Sequence, residues 1–546
     1  MAWTLEREFP TDLWTEHGFP VGFDVESATD AFLPVLDARF GASRDMQMVA
    51  QFCRDYLPSG RIFIYGAGTH TRALLPALRG IPGLQILGIV DRLAASVGDF
   101  EGFDVILPEQ LPGRDFDYVL LSHSQYETEM TERLSMLGLS QCQIVPIYIN
   151  SRFRQFSSAA LLKRIEAFAT RKVANVIINC TKDAIVADGE LSALLPPDET
   201  IRLFMGRPDS WQPDGLYEAV DLHESVDALC AVLRILKPRT VYIRSIIYKN
   251  FLSMVIKKRF PEIFVVHEVY DFAISWRDQD LISLFGLNER TISEIRMTEL
   301  YSGNYVDALI SKRGGDYWRC VADRCASPYE LYFPMIAGEA ARSEASSHDA
   351  TRLAYCGFLP AASFLAHFKN GYNFLDLMEA LGRSGDIEID LFNAVHFDAQ
   401  QDSQFEAYLE RFASGAVRYH RRLSFETLVE RMKTYDFGWL CELVDFFQPD
   451  RYFGIGNRWT SNIMAGLPTL IDDSWKLMGA LTTEYDAGIV VSDVSVAGIL
   501  AGLERGRTKD LRGGVRRLHR HLKARNEGVL DRIAELSSRH QRARDQ

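Results

Sequence analysis

Short runs of branched and aromatic apolar residues recur along the chain, separated by longer stretches in which apolar positions repeat every three or four residues. This is the pattern of strands alternating with helices. Arg61-Ile-Phe-Ile-Tyr, Leu87-Gly-Ile-Val, Val105-Ile-Leu, Tyr118-Val-Leu-Leu and Cys142-Gln-Ile-Val-Pro-Ile read as strands, with helices through Leu74, Leu75, Leu78 and over 127–138. A second alternation places strands at 174–180, 201–205, 240–244, 263–270, 307–311 and 329–333, and helices at 226–236, 251–259, 288–300 and 316–323. The polar stretch from Gly338 to Asp349 breaks all periodicity and reads as a linker. A third alternation follows, with strands at 352–359, 387–392, 417–420, 436–440, 468–471 and 488–491 and helices at 373–381, 425–434 and 459–465.

Strands alternating with helices imply parallel, doubly wound sheets. The expected fold class is therefore α/β, with three Rossmann-like domains at 56–150, 173–340 and 350–504. A helical segment (1–55), a helical connector (151–172) and a tail (505–546) complete the chain. The last two domains should form a cleft between facing strand ends, where the switch-point rule puts a ligand.

Composition narrows the function classes. Sixty basic and seventy-three acidic residues leave a net charge of −13 over 546 residues, a poor footprint for nucleic-acid binding. The eight cysteines form no CxxC pair, and no window is apolar enough for a membrane span. Acidic residues among the first eight positions do not suit a signal peptide, so a cytoplasmic protein is expected. The tail differs: from Arg505 onward thirteen Arg or Lys stand against five Asp or Glu. Val515, Leu518, Leu522 and Val529, Ile533, Leu536 predict two short amphipathic helices there. These read either as a solvated tail or as a peripheral contact with anionic lipid at the inner face of a membrane.

The first domain carries Gly66-Ala-Gly68 between a strand and a helix, with Asp91 at the end of the next strand. Gly66 suits a tight turn, Gly68 the approach of a phosphate, and Asp91 a ribose, but Thr71 stands where a third glycine would pack helix on strand. The segment resembles the small Rossmann-like domains that precede sugar acyltransferases and end some sugar methyltransferases. Such domains hold a nucleotide or serve only for docking.

The third block resembles the donor half of GT-B glycosyltransferases that build bacterial polysaccharides from nucleotide-diphosphate sugars. The resemblance rests on Tyr355-Cys-Gly-Phe-Leu followed by Lys369-Asn-Gly371, on Val417-Arg-Tyr-His with Tyr435-Asp-Phe-Gly-Trp-Leu, and on Asn457-Arg-Trp-Thr-Ser-Asn-Ile-Met-Ala-Gly-Leu-Pro. It covers about residues 173–500, the second block matching by layout and by His267-Glu-Val-Tyr-Asp271. Retaining families carry a glutamate pair around the last helix; this chain has Phe453 and Ser461 at those places.

The resemblance implies a GT-B pair around a cleft and transfer of a sugar from a UDP-, GDP- or similar nucleotide sugar to a polysaccharide, lipid-linked or protein acceptor, without a required metal or other cofactor. Its candidate donor-binding residues are Gly357, Lys369, His420, Glu442, Asn457, Arg458 and Thr460, the cations facing the departing diphosphate. Asp445 and Arg421 are lesser candidates for the cleft. His267 and Asp271 are the candidates for proton transfer with an acceptor hydroxyl. Asp115-Phe-Asp117 and Asp278-Gln-Asp280 are Asp-x-Asp matches of the kind that arise by chance in a chain this acidic. Two alternatives stay open: a non-catalytic sugar-nucleotide-binding or assembly protein, and an NAD-dependent sugar-nucleotide-modifying enzyme acting through the first domain. The latter lacks a Tyr-x-x-x-Lys pair.

Overall fold

A computed structural model describes residues 25–169, 171–180, 188–206, 215–273, 278, 281–282, 287–313, 329–333, 350–357, 359, 374–384, 386–393, 406–420, 423–442, 451, 454–506 and 508–546. The expected helix at 316–323 and the linker at 338–349 lie outside these residues, as do Lys369, Arg421, Asp445 and Phe453.

The strands fall into three separate sheets. The first contains β1 (Gly60–Tyr65), β2 (Leu84–Val90), β3 (Asp99–Phe100), β4 (Phe103–Ile106), β5 (Tyr118–Leu121) and β6 (Ile144–Val145), in the order β3-β4-β2-β1-β5-β6. Only the β3–β4 hairpin is antiparallel. The second contains β7 (Asn175–Asn179), β8 (Thr200–Phe204), β9 (Ala219–Asp221), β10 (Thr240–Ser245), β11 (Phe264–Val269), β12 (Ala308–Ser311) and β13 (Tyr329–Leu331), in the order β13-β12-β11-β10-β7-β8-β9. The third contains β14 (Thr351–Gly357), β15 (Ile387–Asn393), β16 (Val417–His420), β17 (Phe437–Leu440), β18 (Thr469–Asp472) and β19 (Gly488–Val491), in the order β16-β15-β14-β17-β18-β19. The second and third sheets thus wind outward in both directions from their first strand, the 3-2-1-4-5-6 order of a dinucleotide fold, to which the second sheet adds β13 as a seventh, edge strand. Their switch points lie between β7 and β10 and between β14 and β17. Strands such as Asn175–Asn179 and Phe264–Val269 are buried at every position, as a parallel sheet covered on both faces requires.

The N-terminal helices Val25–Phe40 and Met46–Tyr56 and the connector helix Ser151–Lys163 are packed between the first two sheets. One apolar cluster runs from Phe32 and Phe52 through Ile62 and Leu74 to Val176, Val241 and Leu252. Asp45 starts the second helix by accepting the Gln47 and Met48 N–H groups, and Asn150 starts the connector by accepting that of Arg152. Ion pairs reinforce the seam: Arg39 binds Glu129 of the first domain and Glu294 of the second, and Arg154 binds Asp227 through two 2.7 Å bonds.

The tail corrects the sequence expectation: it is one helix, Leu511–Asp545, not two. Val515, Leu518 and Leu522 pack on the third domain with Trp459 and Met478. Val529, Leu530 and Ile533 pack on the second with Tyr242 and Val266. Asn526 lies between the two apolar groups on the same stripe, accepting Phe333 N–H at 2.8 Å and donating to Phe333 C=O at 2.7 Å. One helix of 35 residues, about 52 Å long at the usual rise per residue, thereby straps the two halves together.

Candidate functional site

In the third domain the strand ends at the switch point carry a tight charge cluster. Glu442, just beyond β17, donates its own N–H to Asp472 Oδ2 at 2.9 Å, and its carboxylate takes both Arg451 and Arg458. Arg451 also donates to Ser474 Oγ at 2.8 Å and lies 4.6 Å over the Trp475 ring. Its side chain is 4% exposed, against 21% for Arg458, so Arg458 is the cation that reaches the open side. Burial pulls Arg451 below its ordinary value and raises Asp472. With two carboxylates and two guanidiniums the cluster is electrically balanced.

Arg458 opens the helix Asn457–Met464, which follows Gly454-Ile-Gly456. The N-cap is Gly456, whose missing side chain leaves the first turn without a side-chain acceptor. Arg458 passes directly over Gly357 at the end of β14: a Cβ on Gly357 would stand 2.5 Å from Arg458 Cδ and 2.8 Å from the Tyr355 hydroxyl. This glycine therefore makes room for the arginine. Asn457 holds a buried Oδ1 without a hydrogen-bond partner. Thr460, expected to face the donor, is fully buried and donates its hydroxyl to the Asn457 carbonyl at 2.9 Å. His420 is placed on the edge strand β16, with Nε2 against Asp390 and its ring stacked 4.7 Å from Phe392. Its polar edge is engaged two strands away from the switch point. Burial would raise the Asp390 carboxyl, but His420 and Arg418 hold it well below its ordinary value.

In the second domain Asp271 follows β11 and meets Lys312 Nζ at 3.1 Å; that ammonium also lies 3.8 Å from the Tyr270 ring centre. The two halves join here. Lys312 C=O accepts the Ile455 N–H at 3.0 Å, and Arg313 pairs with Gly454 in an antiparallel bridge. Asp271 and Arg458 thus stand on the two sides of one seam, three residues after the shared backbone bond in the case of Arg458.

His267 is a correction. It lies inside β11 with no exposed surface, Nε2 2.6 Å from Ser245 Oγ, and burial pushes its pKa down to about 3. Successive residues of a strand point to opposite faces, and this one points into the packed helical layer. It cannot exchange a proton with an acceptor in that position.

In the first domain Gly66 has φ +122° and a Cβ there would meet Ser122 C=O at 2.9 Å, so the turn requires glycine. Gly68 caps the helix Thr69–Arg79, and nothing lies within 4 Å of the position of its missing Cβ. Asp91 does not stand free for a ribose: Oδ2 accepts Ala67 N–H at 2.8 Å and Oδ1 accepts Leu93 N–H at 2.9 Å. Thr71, at the third-glycine position, sits 2.8 Å from Ser122 Oγ, and His70 fills the crevice between Ser122 Oγ (2.8 Å) and Tyr148 OH (2.6 Å). Burial lowers His70 to about 4. Arg44 reaches in from the N-terminal segment to Ser124 C=O at 3.3 Å.

Among the described residues no group of three or more His, Cys, Asp or Glu is arranged to hold a metal. The Asp-x-Asp segments have local partners: Asp117 accepts Arg61 N–H, Asp115 pairs with Arg61, and Asp278 pairs with Arg296 at 2.6 Å. No described helix is long and apolar enough to cross a membrane. Sequence reasoning missed Arg451, Asp472, Ser474 and Lys312, although Asp472 ends a strand and Ser474 and Lys312 follow one at the side where the switch-point rule gathers ligands.

Residues 59–145 match the family model described as C2185-like, N-terminal. No curated protein matches the chain. Among solved structures it is similar to sucrose-phosphate synthase from Thermosynechococcus elongatus, at 12% identity and TM-score 0.46 over 68% of this chain and 98% of that one. It is similar to Anabaena Alr3699/HepE in complex with UDP, at 8% identity and TM-score 0.46 over 66% and 100%. An E. coli trehalose-6-phosphate structure bound with UDP-2-fluoro glucose matches at 14% identity and TM-score 0.40 over 67% and 97%. By its own topology, a 3-2-1-4-5-6-7 sheet and a 3-2-1-4-5-6 sheet in tandem with a terminal helix crossing back onto the first of them, the body from residue 175 onward has the GT-B fold.

Proposed function

We propose that the protein is a glycosyltransferase that moves a sugar from a nucleotide-diphosphate sugar to a glycan, lipid-linked or protein acceptor. One observation carries this reading. Arg458 is held over Gly357 at a helix N-terminus that has no side-chain cap, where β14 and β17 diverge, with Asp271 across the seam. A diphosphate leaving group is stabilised by a cation and the positive end of a helix at that point, and an acceptor hydroxyl needs a carboxylate to take its proton. In this reading the bond from the sugar to the diphosphate breaks as the acceptor oxygen attaches, Arg458 with Lys369 balances the departing charge, and Asp271 receives the proton.

The first domain is best read as a docking module. Its glycine loop is satisfied from within by Asp91 and Thr71, and its crevice is filled by His70 and faced by Arg44. The tail's solvent side carries Arg516, Arg517, Arg520 and Arg525 on an otherwise acidic chain, which supports peripheral contact with an anionic surface.

The test is incubation with UDP-, GDP- and CMP-sugars, recording nucleotide release together with binding calorimetry. Release that is lost in Asp271→Asn supports the enzyme. Binding without release favours a non-catalytic sugar-nucleotide sensor, a reading to which the absent glutamate pair lends weight. No binding of any nucleotide sugar ends both.

A further inference from the structure

Behind Asp271 lies a hydrogen-bonded relay with no solvent access. Ser245 ends β10, His267 lies in β11, Asn250 immediately precedes the helix Phe251–Arg259, and Glu299 belongs to the helix Glu289–Tyr305; all are at most 1% exposed. The directions follow from the partners. Asn250 Nδ2 donates to Glu299 Oε1 at 2.7 Å and to the Asp271 carbonyl at 3.2 Å, so Asn250 Oδ1 must be the acceptor of the Ser245 hydroxyl at 2.5 Å. Ser245 Oγ, having given its proton, receives one from His267 Nε2 at 2.6 Å, which fixes the Nε2–H tautomer. Glu299 Oε1 also accepts the Ala273 N–H at 2.6 Å.

A buried carboxyl group is expensive unless its oxygens are hydrogen-bonded. Here its bonds end on the backbone at both ends of a three-residue segment, the Asp271 carbonyl through Asn250 and the Ala273 amide directly. Lys312 meanwhile holds the Asp271 side chain. Main chain and side chain of this residue are therefore fixed independently, from two different elements.

We infer that Glu299 and Asn250, backed by Ser245 and His267, are positioning residues that hold the Asp271–Ala273 segment in register with the seam to the third domain. The inference rests on the proposed role of Asp271 but can be read without it. A misplacement of about 1 Å costs a reaction on the order of a hundredfold, whereas ligand binding to the opposite half is untouched.

The test uses the full chain with four substitutions. Glu299→Leu and Asn250→Ala break the relay. Glu299→Gln keeps an oxygen where Oε1 stands. Ser302→Ala removes the 2.7 Å Ser253–Ser302 bond between the same two helices without touching the relay. Amide hydrogen exchange over residues 268–275 should accelerate at least tenfold in the first two and stay near the parent in the last two. With UDP-glucose as probe, UDP release should fall at least tenfold in Glu299→Leu, UDP affinity should stay within twofold, and Glu299→Gln should restore most of the rate. Unchanged exchange in Glu299→Leu, equal exchange in Ser302→Ala, or a parallel loss of UDP affinity would each overturn the inference. If the parent releases no nucleotide from any donor, the enzyme reading fails and the exchange pattern alone decides the positioning role.

Discussion

Arg458 offers the sharpest test of the proposed donor site, because its present partner sets the size of the effect. A charge-assisted hydrogen bond to phosphate is worth about 1.5–3 kcal/mol. Arg458 already binds Glu442, so a diphosphate exchanges one charged partner for another, and the lower end applies. Arg458→Ala should therefore weaken nucleoside-diphosphate affinity by about 1.5 kcal/mol, roughly tenfold. The same reasoning makes an opposite prediction for Glu442. At a separation on the order of 6 Å a carboxylate and a phosphate repel by about 3 kcal/mol at an effective dielectric of about 20, which solvent screening reduces to about 1. Glu442→Gln should thus tighten binding about fivefold, while costing about 1–3 kcal/mol of stability because Arg451 loses its closest carboxylate. In the Arg458→Ala background this repulsion remains, so the gain should persist. Calorimetric titration of UDP and GDP into the four proteins of this cycle, with thermal unfolding alongside, reads every term. Unchanged affinity in a folded Arg458→Ala protein, or a Glu442→Gln protein that binds more weakly than the parent, would refute the argument.

Three further outcomes are expected. A Cβ at Gly68 meets nothing, so Gly68→Val should fold, and calorimetry should show one nucleotide-binding event in both it and the parent; two events falling to one would make the first domain a nucleotide site after all. Folding stability should fall as pH drops below 6.5, because the unfolded chain protonates its histidines there while buried His70 and His267 stay neutral until about 4 and about 3. The slope is about 1.4 kcal/mol per pH unit per histidine, and His70→Asn should flatten it in denaturant titrations between pH 6.5 and 5. Glu224, held down at about 2 by Lys249 and Arg44 against the opposing effect of burial, adds a separate loss between about 4.5 and 2. Finally, Ile533→Ala should cost about 2–5 kcal/mol and lower the unfolding midpoint, since Ile533 is fully buried between the strap and the second domain. An unchanged midpoint would mean that the strap is dispensable.

The sequence by itself determined the local elements and their class. Val, Ile and aromatic runs such as Phe264–Val269 have no other use than strands buried on both faces, and Gly456-Asn457-Arg458 could be read as a loop entering a helix because the glycine, the polar first turn and the apolar positions behind it are all local. What it did not determine depends on which distant residues meet. The alternation of a strand says that His267 points to one face but not which, and only the placement of Ser245 and Asn250 on neighbouring elements makes it an interior residue rather than a proton carrier. Arg458 reads as a cation in the sequence, yet its binding strength is governed by Glu442, sixteen positions away and brought beside it by the β14–β17 divergence. Asp91 has the spacing of a ribose ligand, but its carboxylate closes on the Ala67 amide. The tail shows the principle most plainly. Asn526 interrupts the apolar stripe between Leu522 and Val529, so the chain alone reads as two helices. It continues as one because the Phe333 backbone, contributed by a strand end nearly two hundred residues earlier, supplies both the donor and the acceptor that a buried amide needs.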